Sequence, residues 1–246
     1  MIITPTMKMA NVIIQNHHLL AIIDRFGIKL GFGEKTVNQV CEQYSIPVNF
    51  FLEIVNTFND PDFFTKRNMD TFPLKLIVNY LRNAHKFYLD VKVPEIRDLI
   101  NAMLKTDNEK TKKAVYLIKN FFEDYASQLH THIDREDKIV YPYVLLLEEA
   151  YETKNVDSLK SFISQNDFKI DEYASSHDNI EEKLFDIKSI IIKYLEPDDN
   201  YVVSFKTLGQ LAHLEDDIND HSDMENKVLI PRVKEMENSL SKLNLL

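Results

Sequence analysis

The chain lacks tryptophan, has a single cysteine and contains only four glycines in 246 residues. Cys41 on its own excludes an internal disulfide and cannot ligate an iron–sulfur cluster. The scarcity of glycine favours helix, and 44% hydrophobic residues suffice for a proper core, which argues against disorder. No stretch approaches the roughly 18 consecutive apolar residues of a membrane span.

Basic residues are also few, because 29 lysines and arginines stand against 39 aspartates and glutamates, for a net charge of −10. An acidic surface argues against nucleic acid or an anionic membrane as the main partner. The N-terminus has neither the basic region nor the long apolar run of a signal peptide. A cytoplasmic protein with no membrane partner is therefore expected.

The most informative feature that is present is a pair of His-x-x-x-Glu motifs on helical patterns. His132 is followed by Glu136, and His221 is followed by Glu225. A proline lies ten residues after each of these histidines. Four residues along a helix span about 400°, so the histidine and the glutamate of each motif share one face, a turn apart.

One further isolated histidine precedes each motif. His85 lies 47 residues before His132, and His177 lies 44 residues before His221, so the chain repeats a two-helix unit. Four histidines and two glutamates could therefore meet inside a four-helix bundle and bind two metal ions. The predicted metal ligands are His85, His132, Glu136, His177, His221 and Glu225.

The helical patterns after residue 71 place all six predicted ligands on the stripe that should be apolar. In the second pattern the stripe has the spacing 3-4-3-4 over Phe122, Tyr125, Leu129, His132 and Glu136. Such a stripe faces the core of a bundle, where unpaired carboxylates and histidines would be strongly destabilising. A single motif is usually a solvated surface pair, and a buried ionic network is the remaining alternative. The joint pattern favours cations that neutralise these groups.

The other histidines are not expected to be ligands. His130 should face away from the ligand stripe, and His213 lies too far along its helix. His17 and His18 are expected at the surface, as is Glu181, one turn past the third-helix histidine. A set of tyrosines shares the stripes and is expected to pack in the core with a hydroxyl partner: Tyr88, Tyr125 and Tyr173.

The patterns divide the chain into three parts. Residues 1–58 are predicted to form a small helical domain, residues 59–70 a polar linker, and residues 71–246 the four-helix up-down bundle. In the first part we predict a helix from Val12 to Phe26 that Gly27 ends, a second helix capped by Thr36, and a third opened by Pro47.

At these residues the chain resembles the hemerythrin-like di-iron proteins, and in particular the repair-of-iron-centres (RIC, ScdA-type) family of bacterial stress proteins. The characteristic strings are His132-Ile-Asp-Arg-Glu-Asp-Lys-Ile-Val-Tyr-Pro142 and His221-Ser-Asp-Met-Glu-Asn-Lys-Val-Leu-Ile-Pro231. The N-terminal part is similar to the ScdA N-terminal domain, best at Arg25-Phe-Gly-Ile28. The Cys-Cys-Gly that usually follows in that family is absent, since the chain reads Leu30-Gly-Phe-Gly33.

The resemblance implies two iron ions in an oxo- or hydroxo-bridged centre, with manganese or zinc as less favoured occupants. It implies a role in repairing or protecting iron–sulfur clusters damaged by oxidative or nitrosative stress. Iron–sulfur proteins would be the clients, and NO, O2 or peroxide the small ligands. A hemerythrin-like O2 or NO sensor or store, a redox enzyme and a purely structural adaptor are the alternatives. A homodimer is compatible with the sequence.

Overall fold

The computed structural model describes residues 2–59, 69, 71–175, 180–196 and 201–245. Within these residues the regular elements are helices, and an isolated bridge between Lys8 and Thr36 is the only extended pairing. The predicted all-α class is confirmed. None of the described helices combines the length and the hydrophobicity that crossing a lipid bilayer requires.

The N-terminal part begins with a break that the sequence pattern did not reveal. Its helices are α1 (Met9–Gln15), α2 (Leu19–Arg25), α3 (Val37–Gln43) and α4 (Val48–Asn59). The prediction of one helix from Val12 to Phe26 is wrong, because Asn16 adopts an extended backbone (φ −140°, ψ 96°). The Asn16 side chain accepts the backbone N–H of His18 at 3.0 Å, a local hydrogen bond that competes with the helical one.

The other helix boundaries predicted within this part are confirmed. Gly27 follows the end of α2 with φ +70°, the left-handed conformation that glycine adopts without strain. Thr36 caps α3 in a reciprocal capping box with Gln39. Pro47 precedes the first residue of α4.

The described residues from 71 onward form the predicted four-helix bundle. Its helices follow one another along the chain in four pairs: α5 (Leu74–Phe87) and α6 (Val93–Met103), α7 (Glu109–Arg135) and α8 (Tyr141–Thr153), α10 (Ile170–Ser175) and α11 (Ile180–Tyr194), and α12 (Tyr201–Met224) and α13 (Ile230–Lys242). In one half of the bundle α6, α7, α11 and α12 pack together, and in the other α5 and α13 pack against α8. An unpredicted helix, α9 (Asp157–Asn166), packs against α8 and buries Leu159.

Short π-helical turns interrupt the bundle helices close to the predicted ligands. In the described part of the chain they are Tyr88–Lys92, Glu136–Val140 and Glu225–Leu229. After the second turn the backbone N–H of Tyr141 donates to the carbonyl of Glu136, five residues back, and Ile230 donates to Glu225 in the same way. A π turn thus brings a residue at i+5, instead of i+4, above residue i.

Proline explains where these turns occur. Pro94, Pro142 and Pro231 each lie at the start of the α-helix that follows a π turn. Proline has no N–H to donate, and its ring would collide with the carbonyl four residues earlier in a regular helix. The wider π turn relieves that collision. The proline found ten residues after each motif histidine therefore marks the π turn, not the end of the helix.

The hydrophobic core has two clusters within the described residues, and π turns that begin at Glu136 and Glu225 lie where the helices pass from one cluster to the other. One cluster joins the N-terminal helices to α5, α8 and α13, and the other lies between α6, α7, α11 and α12. Residues 59–70 remain a predicted linker, most of which lies outside the described residues. Of that segment, Asn59 ends α4 and Met69 is fully buried in the first cluster.

Arg25 links the N-terminal helices to the bundle. Its buried guanidinium donates to the hydroxyl of Tyr80 at 3.1 Å and forms an ion pair with Asp217 on α12. Tyr88 lies beside the guanidinium and donates to the backbone carbonyl of Asp217 at 3.0 Å. Since Asp217 lies one turn before His221, this network holds the N-terminal part beside a helix that carries a predicted ligand.

Replacing Arg25 with alanine is expected to lower the free energy of unfolding by about 3 kcal/mol, because the substitution leaves a largely buried carboxylate without its partner. Urea denaturation monitored by circular dichroism measures the change. Lys29→Ala serves as the control, since Lys29 is an exposed cation four residues further along. Equal stability of the two variants would show that the ion pair does not fix the N-terminal part.

Cys41 lies in the core of the N-terminal part and is fully buried. Burial, followed by the nearby charge of Glu42, raises the pKa of its thiol to about 12. The thiolate is the reactive form, so the native protein should react with a disulfide reagent at pH 8 at least ~100-fold more slowly than the unfolded protein. Following thionitrobenzoate release with and without denaturant tests this. Rapid reaction of the native protein would indicate an accessible thiol.

Candidate metal centre

The π turns and the helices around them bring five of the six predicted ligands close together. His85 lies near the end of α5, and His221 lies near the end of α12. Glu136 and Glu225 are the first residues of their π turns, which continue α7 and α12. Glu136 lies four residues, or about one helical turn, after His132, as the motif predicts.

Three of the predicted ligands converge closely. Ligand atoms of His85, Glu136 and His221 all lie within 4.8 Å of one another, and the three residues are buried. The Nε2 atoms of His85 and His221 are 3.2 Å apart, and Nε2 of His85 lies 3.2 Å from Oε2 of Glu136. These residues are 136 positions apart at the extremes, so the bundle alone brings them together.

The two oxygens of Glu136 face different histidines. Oε2 points to His85, whereas Oε1 lies 2.9 Å from Nε2 of His132. Glu225 is also fully buried, and its Oε1 lies 3.8 Å from Nε2 of His221. Five of the six predicted ligands therefore lie beside one another, linked by these distances. The sixth, His177, lies outside the described residues, and so does the side chain of Glu181.

This donor set fits metal ions. Nitrogen ligands bind first-row cations at about 2.1 Å, so two of them at right angles on one ion lie about 3 Å apart. The 3.2 Å between the two Nε2 atoms is close to that separation. Oε2 of Glu136 is buried, and its neighbour Nε2 of His85, 3.2 Å away, is itself a predicted ligand, so a cation between the two atoms would satisfy both. Imidazole and carboxylate are ligands of iron, manganese and zinc.

A model of the hemerythrin HHE cation-binding domain matches residues 94–233, which is more than half of the chain. The chain belongs to the hemerythrin HHE family. The matched segment contains both His-x-x-x-Glu motifs, whereas His85 lies before it. Neither a curated protein nor a solved structure matches the chain.

In this hemerythrin-type bundle, two tyrosine hydroxyls lie among the ligand atoms. Tyr141 donates to Oε1 of Glu225 at 2.8 Å and lies 3.3 Å from Nε2 of His85. Tyr173 donates to Oε1 of Glu136 at 2.5 Å and lies 3.3 Å from Oε2 of Glu225. The expectation that Tyr173 packs in the core with a hydroxyl partner is confirmed. Tyr141 was missed, because its position five residues after Glu136 reaches the site only through the π turn.

Asp137 is a second residue that the motif analysis missed. Its Oδ1 lies 3.2 Å from Nδ1 of His85, on the opposite side of the ring from the ligand cluster. Arg82 lies 3.5 Å from the same carboxylate oxygen. A carboxylate bound to the far nitrogen of a histidine fixes the orientation of the ring and makes it a better metal ligand. The sequence did offer a signal for this contact, because Asp137 is an acidic residue directly after the predicted ligand Glu136.

The two carboxylates of the centre titrate in opposite directions in the metal-free protein. Burial disfavours ionisation of Glu136, but hydrogen bonds with His132 and His85 outweigh it and hold the pKa of Glu136 well below its usual range. Burial, followed by the negative charge of Glu136, raises the pKa of Glu225 well above its usual range. Without cations, the site therefore keeps one carboxylate ionised and the other protonated.

The pKa values of His85 and His221 are also shifted in opposite directions. Burial lowers the pKa of His85, but its hydrogen bonds to Asp137 and Glu136 outweigh that effect and raise the pKa to about 9. Burial, followed by the positive charge of His85, lowers the pKa of His221 well below its usual range. Metal binding needs both rings deprotonated, so a cation replaces the proton that His85 holds.

The histidines that were predicted to lie outside the site are exposed: His17, His18, His130 and His213. His18 and His213 approach each other across the junction between the N-terminal part and the bundle, with ring centroids 5.5 Å apart. His130 lies two residues before His132 and faces solvent, which makes it a suitable control for the ligand histidine.

Proposed function

We propose that this protein is a non-haem di-iron protein that repairs or protects iron–sulfur clusters damaged by oxidative or nitrosative stress. The observation that carries the proposal is the placement of Glu136 between two histidines. Its Oε1 lies 2.9 Å from Nε2 of His132, and its Oε2 lies 3.2 Å from Nε2 of His85. A carboxylate in that position can bridge two cations. The family match supports the cation site, and the resemblance to the RIC type supports the repair role.

The predicted ligands would be shared between two ions. His85 and His221 would hold one ion, and His132 with the predicted ligand His177 the other. Glu136 and Glu225 would lie between them, and iron would supply electron transfer with NO or oxygen species. The side chain of His132 is 19% exposed, against 2% for His85 and 7% for His221, so His132 is the most accessible of the described histidine ligands.

Iron is proposed over manganese and zinc on the strength of the hemerythrin family, since the donor set accepts all three. Metal analysis of protein purified from iron-supplemented cells tests this. We expect about two irons per chain, a ferric near-ultraviolet absorption in air, and loss of both in His132→Ala but not in His130→Ala. A colourless aerobic preparation without iron would refute the iron assignment.

The repair role needs a separate experiment. Iron-loaded protein is incubated anaerobically with an apo iron–sulfur enzyme, sulfide and a thiol, and recovery of enzyme activity is measured. Protein that restores activity in proportion to the iron it loses acts as a donor. In cells, deletion of the protein should lower cluster-enzyme activity after NO or peroxide. Unchanged activity in such cells would refute the repair role.

A hemerythrin-like O2 or NO sensor or store is the second candidate. Burial of the cluster favours it, because Glu136 and Glu225 are almost completely shielded and a bound gas would be retained away from water. The two functions predict different outcomes of one titration with NO. A sensor or store binds and releases the gas with its iron retained, whereas a repair protein consumes the gas or gives up iron.

A further inference from the structure

The hydroxyl of Tyr141 completes a triangle of donor atoms with two of the predicted histidine ligands. It lies 3.3 Å from Nε2 of His85 and 3.4 Å from Nε2 of His221, and the two nitrogens are 3.2 Å apart. All three side chains are buried. The three atoms therefore form an almost equilateral face in the centre of the bundle.

A face of this size matches the coordination of a single ion. Three ligands at about 2.1 Å from one ion lie about 3.0 Å apart in octahedral geometry and about 3.4 Å apart in tetrahedral geometry. The three measured separations, 3.2, 3.3 and 3.4 Å, fall within that interval. Phenolate oxygen is a known protein ligand of ferric iron, as in the haem of catalase.

The sequence repeat places a phenol after one π turn and a hydrocarbon side chain after the other. Tyr141 follows the π turn that begins at Glu136, and Ile230 occupies the equivalent place after the turn that begins at Glu225. Both residues donate their backbone N–H to the carbonyl of the ligand glutamate five residues earlier. The repeated half of the bundle thus offers a hydrocarbon side chain where the first half offers a phenol.

We propose that Tyr141 is a seventh protein ligand, bound as phenolate to the ion that His85 and His221 hold. Its coordination forms one oxygen–metal bond and releases the phenolic proton to solvent. This assignment rests on the proposed di-iron function. Its consequence would be an unequal pair, because the ion held by His85 and His221 would have one more proposed protein ligand than the ion beside His132.

Tyr173 is the matched control in the same site. Its buried hydroxyl lies beside two carboxylate oxygens, Oε1 of Glu136 at 2.5 Å and Oε2 of Glu225 at 3.3 Å. A hydroxyl placed in this way positions the two carboxylates. Tyr173→Phe therefore removes an equally buried phenol without removing the proposed ligand.

The test is spectroscopic. The full-length protein is loaded with ferrous iron without oxygen and then oxidised, and its visible absorption and resonance Raman spectra are recorded with iron content. We expect a phenolate-to-iron(III) band with phenolate ring modes in the wild type and in Tyr173→Phe. Tyr141→Phe should lose the band and the ring modes while retaining bound iron.

The outcomes separate the two proposals. A wild-type protein that binds about two irons but shows no phenolate modes overturns the tyrosine assignment and leaves the di-iron function standing. A band that survives in Tyr141→Phe and is lost in Tyr173→Phe also overturns it. A wild type that binds no iron refutes the di-iron function and the assignment with it. If Tyr141→Phe fails to fold, phenolate modes that persist in Tyr173→Phe support the assignment, and their absence from the iron-loaded wild type overturns it.

Discussion

Replacing Glu136 with alanine is expected to abolish the binding of both metal ions. Glu136 is the one described carboxylate with an oxygen within 3.2 Å of histidines on each side of the cluster. Loss of a residue that only supports a ligand already lowers metal affinity about 10–100-fold, so loss of the shared ligand should lower it by at least ~100-fold. The metal content after desalting should fall from about two ions per chain to near zero.

The control for this substitution is Asp134→Ala on the same helix. Asp134 lies two residues before Glu136, but its carboxylate is exposed and paired with Lys138 at 2.6 Å. It should retain the full metal content. If Glu136→Ala kept two tightly bound ions in a folded protein, Glu136 could not bridge them, and the proposed centre would have to be abandoned.

Removing the metal is expected to destabilise the bundle strongly. The cations neutralise a buried group of carboxylates and imidazoles, and a ligand that binds only the folded state stabilises it by about 4 kcal/mol at 1,000 times its dissociation constant. For a chain of this size that corresponds to a fall of roughly 8–16 °C in the unfolding temperature. Thermal unfolding of loaded and chelator-treated protein measures the difference.

The pH dependence of this difference provides its internal control. The folded pKa of His85, about 9, lies above the value of 6.5 for a free histidine. Protonation of His85 therefore stabilises the metal-free fold fully below pH 6.5, and that contribution is lost as the pH rises through about 9. In the loaded protein the ring is already deprotonated. The gap in unfolding temperature should widen between pH 6.5 and 9, and a constant gap would contradict the proton–metal exchange.

Much of the helical framework was predictable because it depends on local periodicity. The 3-4 spacing that includes His132 and Glu136 requires only that neighbouring turns share a face, and a capping residue such as Thr36 acts within three positions. The break at Asn16 was missed because the apolar spacing continues across it, while a side-chain hydrogen bond to the backbone ends the helix.

The helical class, the bundle and the candidate cation ligands follow from the amino-acid pattern, since each depends on spacing within a few turns of helix. Which of these donors meet depends on how the helices dock. Tyr141 and His221 are 80 positions apart, and their approach depends on a π turn that rotates one side chain inward and on the packing of separate helices. Such distances are set by the docked helices together, so no local pattern contains them.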